Sequence, residues 1–332
     1  MTDANPNPDT SVGTAADPAS QVLPIDEASD LASRVIENIE TVIVGKHDVI
    51  EHLMVAVFGR GHLLLEDVPG VGKTMLARAV AESVDGDFRR VQFTPDLLPT
   101  DITGVNVFNE KTREFEFQEG PIFGNVVLAD EINRAPPKTQ SALLEAMEEE
   151  QVTADGETRA VPDPFIVIAT QNSVERDRTY DLPVAEIDRF MKKLHLGYPD
   201  EAEESEVLNR VVGGHPIEEV EPVASVTDLR RARQTAAQVT VEEGVRDYVT
   251  RLAAFTREEA SLGVSPRGGI ALLQAAQARA VLNGRDYVIP DDVKTETERV
   301  FVHRVRAEPS SRLGDASAAD VVETALERVR PE

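Results

Sequence analysis

One stretch limits the possible folds more than any other: His62 to Ala81, HLLLEDVPGVGKTMLARAVA, where a short apolar run meets a glycine-containing loop and then a helical pattern. Strand, tight loop and helix in that order set a helix N-terminus directly after a buried strand, with its unpaired N–H groups and positive dipole end facing outward. Such an end receives phosphate groups. Gly70 and Gly72 let successive amides curve around a phosphate without a Cβ in the way. Lys73 would set its ammonium on the β and γ oxygens of a triphosphate, and Thr74 would offer a hydroxyl to Mg²⁺. The expected phosphate loop is therefore Pro69, Gly70, Val71, Gly72, Lys73, Thr74 and Met75, with ATP and Mg²⁺ as its ligands. One position departs from the strict glycine spacing: Asp67 stands where the first glycine is expected.

A phosphate loop needs a carboxylate at the end of a second buried strand. NVVLADEINRA supplies one, since Val126 to Ala129 form an apolar run from which Asp130 and Glu131 emerge. Asp130 would hold the metal and Glu131 would polarise the attacking water. An Asp-Glu pair after an apolar run is commonly a solvated strand end. Here it lies 57 residues beyond Lys73 in a chain of alternating strands and helices, and the two motifs support each other.

At 332 residues the chain has room for two domains. It contains no cysteine, which removes disulfides, thiolate metal sites and cysteine nucleophiles together. No apolar run approaches the roughly 20 residues needed to span a bilayer, and the first residues have neither a basic nor an apolar segment of the secretory kind. A cytoplasmic location is expected. Sixty acidic residues against 34 basic ones give a net charge of −26, and only seven of the basic residues are lysine. That balance suits a salt-rich cytoplasm, where carboxylates keep a hydrated surface and screening weakens their repulsion. It disfavours a protein whose main task is gripping nucleic acid.

Residues 1–24 read as a disordered acidic tail. From Ile25 to about Glu40 the apolar spacing predicts an amphipathic helix, followed by another over Lys46 to Gly59. Strands are expected at His62–Leu65, Arg90–Phe93, Val126–Ala129, Phe165–Ala169 and Leu194–Leu196, with helices at Lys73–Val84 and Lys138–Glu150. Short apolar strands alternating with helices imply a parallel α/β sheet covered on both faces. Two period-two segments with polar turns, around Asn109–Arg113 and Asp155-Gly156, read as inserted hairpins. The α/β domain is set at 25–200, a linker at 201–225 that opens with an acidic helix, a small helical domain at 226–315 and a C-terminal helix or tail at 316–332. The acidic run Glu148–Glu150 reads as a solvated helix end.

RVQFTPDLLPTDITG, FQEGPIFGNVVLADEINRAPPKTQSALLEAMEE and ATQN…LPVAEIDRF resemble the MoxR-type AAA+ ATPases over roughly residues 25–315. The resemblance implies the helix-2-insert branch: a P-loop AAA+ core with two extra hairpins, followed by an all-helical lid. It implies ring assemblies, commonly hexamers, with ATP between neighbours. By the same resemblance Asn172 is a sensor that orients water together with Glu131. Arg189 is similar to the arginine finger reaching a neighbour's γ-phosphate, and Arg267 to the second sensor, acting in its own subunit or the next. Ile43, Val44 and Gly45 resemble the segment that lies against adenine, and Arg134 is a further candidate for contact across the interface. After Asn172 the chain departs from the family pattern, leaving Arg176 and Arg178 unassigned.

The function implied is Mg²⁺-dependent ATP hydrolysis that remodels or matures a client, alongside a partner bearing a von Willebrand factor A domain. A nucleotide-controlled binding switch is the alternative class. A nucleic-acid translocase is a third, opposed by the acidic balance.

Overall fold

The structure, a computed structural model, describes residues 22–172, 180, 182–307 and 317–331. The expected tail lies outside the described residues up to position 21. Its last part does not behave as a tail: Leu23 is buried, and its carbonyl accepts a hydrogen bond of 2.8 Å from the Thr235 hydroxyl. An apolar seat for Leu23 ends the tail earlier than residue 24.

In chain order the elements begin with α1 (Ile25–Glu40), α2 (His47–Phe58), β1 (Leu63–Asp67), α3 (Lys73–Ser83), β2 (Phe88–Gln92) and α4 (Pro99–Thr103). The hairpin β3 (Gly104–Asn109) and β4 (Glu114–Glu119) follows, then β5 (Val126–Asp130) and α5 (Pro137–Glu149). A second hairpin, β6 (Gln151–Ala154) and β7 (Glu157–Ala160), precedes β8 (Ile166–Asn172), α6 (Val184–Ile187) and β9 (Lys192–Leu194). The remainder is helical: α7 (Glu201–Val211), α8 (Val226–Gln238), α9 (Glu243–Glu259), α10 (Pro266–Leu282), α11 (Pro290–Phe301) and α12 (Ala318–Arg328).

Five strands form one parallel sheet in the order β2-β5-β8-β1-β9. Successive side chains of a strand point to opposite faces. Leu63, Leu65, Val126, Leu128, Ile166 and Ile168 accordingly join one apolar cluster with α1, α2, α3 and the C-terminal helices. Leu64, Val127, Ala129, Val167 and Ala169 join another that contains Leu143 and Leu144 of α5. Both faces are covered, which is why these strands read as apolar runs and not as alternations.

Three strands run further than their apolar residues. β1, β5 and β8 continue to Asp67, Asp130 and Asn172, because ladder pairing holds polar residues in the sheet once the apolar part has set the register. β2 begins two residues before the expected Arg90 for the same reason, Phe88 pairing with Val126. β9 also starts two residues early. Its Lys192 is fully buried, with the ammonium 2.5 Å from Glu296 of α11 and 2.9 Å from the His52 carbonyl. Arg279 of α10 donates to the other Glu296 oxygen at 2.7 Å. Burial alone would raise the Glu296 carboxyl, but Lys192, His52 and Arg279 hold it well below the usual range. This buried network ties α10 and α11 to the sheet layer.

The stretch expected as a linker is also docked. Lys46 pairs with Glu203 of α7 at 3.0 Å, and Arg210 donates to the carbonyls of Glu40 and Thr41 at 2.8 Å each. α7 therefore closes over the α1–α2 turn. No described helix is long and apolar enough to cross a membrane.

Candidate active site

Because β1, β5 and β8 are parallel, their last residues emerge along one edge, Asp67 beside Asn172 in register and Gln92 of β2 beside Asp130. The loop after β1 carries Gly70 at φ 84° and Gly72 at φ 96°, and α3 starts at Lys73. A Cβ on Gly70 would meet nothing within 4 Å, so glycine is needed there for its left-handed backbone and not for space. The departure at Asp67 has a physical reason. Its carboxylate, almost fully buried, accepts the amides of Val68 at 3.0 Å, Leu196 at 2.6 Å and Gly197 at 2.8 Å. A side-chain anchor fixes the start of the loop where the usual pattern has a glycine.

The Lys73 ammonium donates to the carbonyls of Val68 at 2.8 Å and Asp67 at 3.1 Å. Burial lowers it below the ordinary lysine value, against the pull of Asp67, Asp130 and Glu131. Asp130 accepts from Arg90 and from the buried Thr170 hydroxyl, each at 2.7 Å. That same hydroxyl accepts the Glu131 amide at 2.8 Å, and Glu131 has a left-handed backbone with φ 56°. Thr170 thus aims both acids with one oxygen. The Glu131 carboxylate accepts from Gln92 at 2.7 Å and from Arg134 at 2.6 Å. Arg134, expected as an interface contact, engages the acid of its own chain. Asn172 ends β8 on this edge. Arg176 and Arg178 lie outside the described residues.

Beside the loop is a cavity of about 160 Å³ lined by Ile43, Val44, Gly70, Val71, Gly72 and Met75 on one side and by Val207, Val211 and His215 on the other. Gly45 is not part of its wall. It turns the chain at φ 71°, where a Cβ would collide with the Glu203 carboxylate. The α7 half of this wall was missed in the sequence because α7 is acidic and none of its residues is buried.

Arg189 and Arg267 lie elsewhere. Arg189 precedes β9 at the edge where the strands begin, and it lines a second cavity with His62, Arg267 and Arg304. Its guanidinium donates to the Leu144 carbonyl at 2.6 Å and pairs with Glu148 at 3.0 Å. Arg267 pairs with the other oxygen of the same carboxylate. Asp188 accepts from Ser265, the residue capping α10, at 2.8 Å and from Arg304 at 2.7 Å. Glu148 is exposed, as expected of a helix end, but the last turn of α5 also carries it between two guanidiniums.

The donors available to a metal at the first edge are the Thr74 hydroxyl and the Asp130 carboxylate. All-oxygen ligands from one or two side chains, completed by water and phosphate, are what Mg²⁺ takes. The residues present fit it. Together the first edge offers amides and an ammonium for a polyphosphate and a carboxylate for a water molecule. The second gathers guanidiniums, and its carboxylates Asp188 and Glu148 are already paired with them.

Residues 62–192 match the profile of the ATPase family associated with various cellular activities (AAA), and residues 252–325 match that of the AAA lid domain. The YeaC protein of Bacillus subtilis is 49% identical over 302 residues, spanning 90% of this chain and 94% of its own length. A protein of Mycobacterium tuberculosis named chaperone MoxR1 is 39% identical, spanning 96% of this chain and 88% of its own. A crystal structure of a Cytophaga hutchinsonii protein assigned as an ATPase has a TM-score of 0.86 and 38% identity, covering 93% of this chain and 97% of that one.

Proposed function

The chain belongs to the MoxR family of AAA+ ATPases, and from that premise we propose that it hydrolyses magnesium-bound ATP in a ring whose sites are each shared by two adjacent copies. The cycle remodels or matures a client protein. The observation that carries this reading is the separation of the two edges. Lys73, Asp130 and Glu131 gather where the strands end, whereas Arg189 and Arg267 stand together where they begin. At about 3.3 Å per residue the length of β1 alone sets these edges more than 10 Å apart. Neither arginine reaches a phosphate held by its own chain, so both act on a neighbour's.

In the bound state the loop amides and the α3 N-terminus receive the β-phosphate. Lys73 exchanges the Val68 carbonyl for β and γ oxygens. Magnesium, held by Thr74 and Asp130, would neutralise charge on those oxygens. Glu131 leaves Gln92 and Arg134 and takes a proton from a water that Asn172 helps to orient. The water oxygen bonds to the γ-phosphorus, the bond from that phosphorus to the bridging oxygen breaks, and ADP departs with the electron pair. Arg189 and Arg267 of the adjacent copy offset charge on the transferred group. Val44 and Met75 face the base from one side and Val207 and Val211 from the other.

A hexamer in the cytoplasm, with a partner bearing a von Willebrand factor A domain, is the assembly this reading favours. The inserted hairpins are its contact elements: Phe108 and Phe115 pair edge to face at 5.3 Å and remain exposed, 70% in the case of Phe115. The acidic surface adapts it to high salt, which dialysis from molar KCl into dilute buffer tests: loss of circular dichroism supports the adaptation and an unchanged spectrum refutes it. The test of function is Glu131→Gln, which should retain ATP while turnover drops by about 10²–10⁴-fold. If this variant still matured clients fully, ATP would act as a switch and the motor reading would fail.

A further inference from the structure

We propose that Glu148 is a positioning residue that holds Arg189 and Arg267 side by side as one receptor for the γ-phosphate bound by the adjacent copy. The proposal rests on the shared-site reading above.

Two guanidiniums brought to one place repel each other unless an anion lies between them. In this cavity the candidate anions are Asp188 and Glu148. Asp188 is already taken: one oxygen accepts from Arg304 and the other from Ser265. Glu186 lies near Arg189 but outside this cavity, whereas the two oxygens of Glu148 are divided between Arg189 and Arg267. Arg60 also faces the cavity and adds to the positive charge that Glu148 must offset.

The bridge leaves donors to spare. A guanidinium has five N–H groups. Glu148 and the Leu144 carbonyl engage Arg189 through Nη1, and its Nε is buried without a hydrogen-bond partner. Nη2 makes no hydrogen bond to the described residues and is the donor that an arriving phosphate oxygen would meet. Arg267 meets Glu148 through Nη2, leaving Nε and Nη1 to present to the same anion.

Each member is placed by a different element. His62, at the start of β1, accepts the Val167 amide on Nδ1 at 3.0 Å and so donates from Nε2 to the Met147 carbonyl at 3.2 Å, fixing the turn that carries Glu148. Asp188 holds the α10 cap through Ser265 and thereby sets Arg267 next to Arg189. The receptor is thus assembled from the end of α5, the approach to β9 and the start of α10.

The experiment measures steady-state ATPase kinetics, ATP affinity and thermal melting on the full chain for Glu148→Ala, Glu148→Gln, Arg267→Ala and the double variant Glu148→Ala/Arg267→Ala. Glu148→Ala should lower kcat on the order of 100-fold, the scale of a misplaced catalytic group, with ATP affinity unchanged. Glu148→Gln keeps the shape without the charge and should fall between it and wild type. With Arg267 already removed, deleting Glu148 should cost far less, as expected for coupled residues. Wild-type kcat in Glu148→Ala, or losses that multiply in the double variant, would overturn the proposal. Should Glu148→Ala fail to fold, Glu148→Gln decides: lowered kcat with an unchanged melting curve supports the role, and wild-type kcat refutes it. Arg189→Ala with wild-type kcat would sink the shared-site reading itself, whereas a defective Arg189→Ala beside an intact Glu148→Ala would sink only the positioning role.

Discussion

Along the edge where β1, β5 and β8 end, Asp67 and Asp130 sit on strands held by backbone ladders and Lys73 follows at the start of α3; along the opposite edge Glu148, Arg189 and Arg267 come from separate elements and owe their place to one another. On the proposed reading the first edge binds nucleotide in a single copy, whereas the second acts only when another copy supplies an anion.

That contrast can be broken most sharply through its two basic poles. Arg189→Ala should lower kcat on the order of 10³-fold or more while leaving ATP binding intact, and Lys73→Ala should abolish binding at micromolar ATP. Calorimetry alongside kinetics decides; loss of affinity in both variants would mean that the edges are not separate. Asp67 sharpens the first edge. Replacing it with Ala strands three amides and should cost about 3 kcal/mol, seen as a lower melting temperature and weaker ATP binding. An unchanged melting curve would show that the loop does not depend on this anchor.

The smallest effect concerns pH at the second edge. Burial pushes His62 down to about 4, partly offset by the Met147 carbonyl, and Nδ1 stays free to accept the Val167 amide. Below pH 6.5 the unfolded chain gains a proton that the folded one refuses until about pH 4. The contribution of His62 is therefore whole above pH 6.5 and declines as pH falls toward 4, by about 2 kcal/mol at pH 5. Melting curves at pH 7.5 and 5 should show this slope, and a His62→Gln variant should show less of it. Equal slopes in the two proteins would remove His62 as the support of the α5 end.

The same contrast explains what the sequence reveals. The strand–loop–helix unit expected to hold phosphate was legible because strand, glycines, lysine and helix fall within 20 residues, and local chemistry dictates each. The hairpins were legible from alternation and turn residues. β9 was misplaced because Lys192 reads as surface until Glu296, a hundred residues later, neutralises it. Asp67 looked like a flaw in a motif because its amide donors at Leu196 and Gly197 come from beyond β9. The pairing of Glu148 was hidden for the same reason: although the residue is exposed as expected, its partners are 41 and 119 residues away. The α7 wall was hidden by acidic composition, although a helix directly after the last strand is placed to close over the loop.

The most direct measurement mixes two inactive proteins, Glu131→Gln and Arg189→Ala, each labelled so that subunit exchange is visible. A copy lacking Arg189 still offers Glu131 and its loop, while its Glu131→Gln neighbour still offers Arg189. Sharing predicts that ATPase activity well above either parent reappears as the subunits mix. Complete exchange with activity no higher than either parent alone would contradict it.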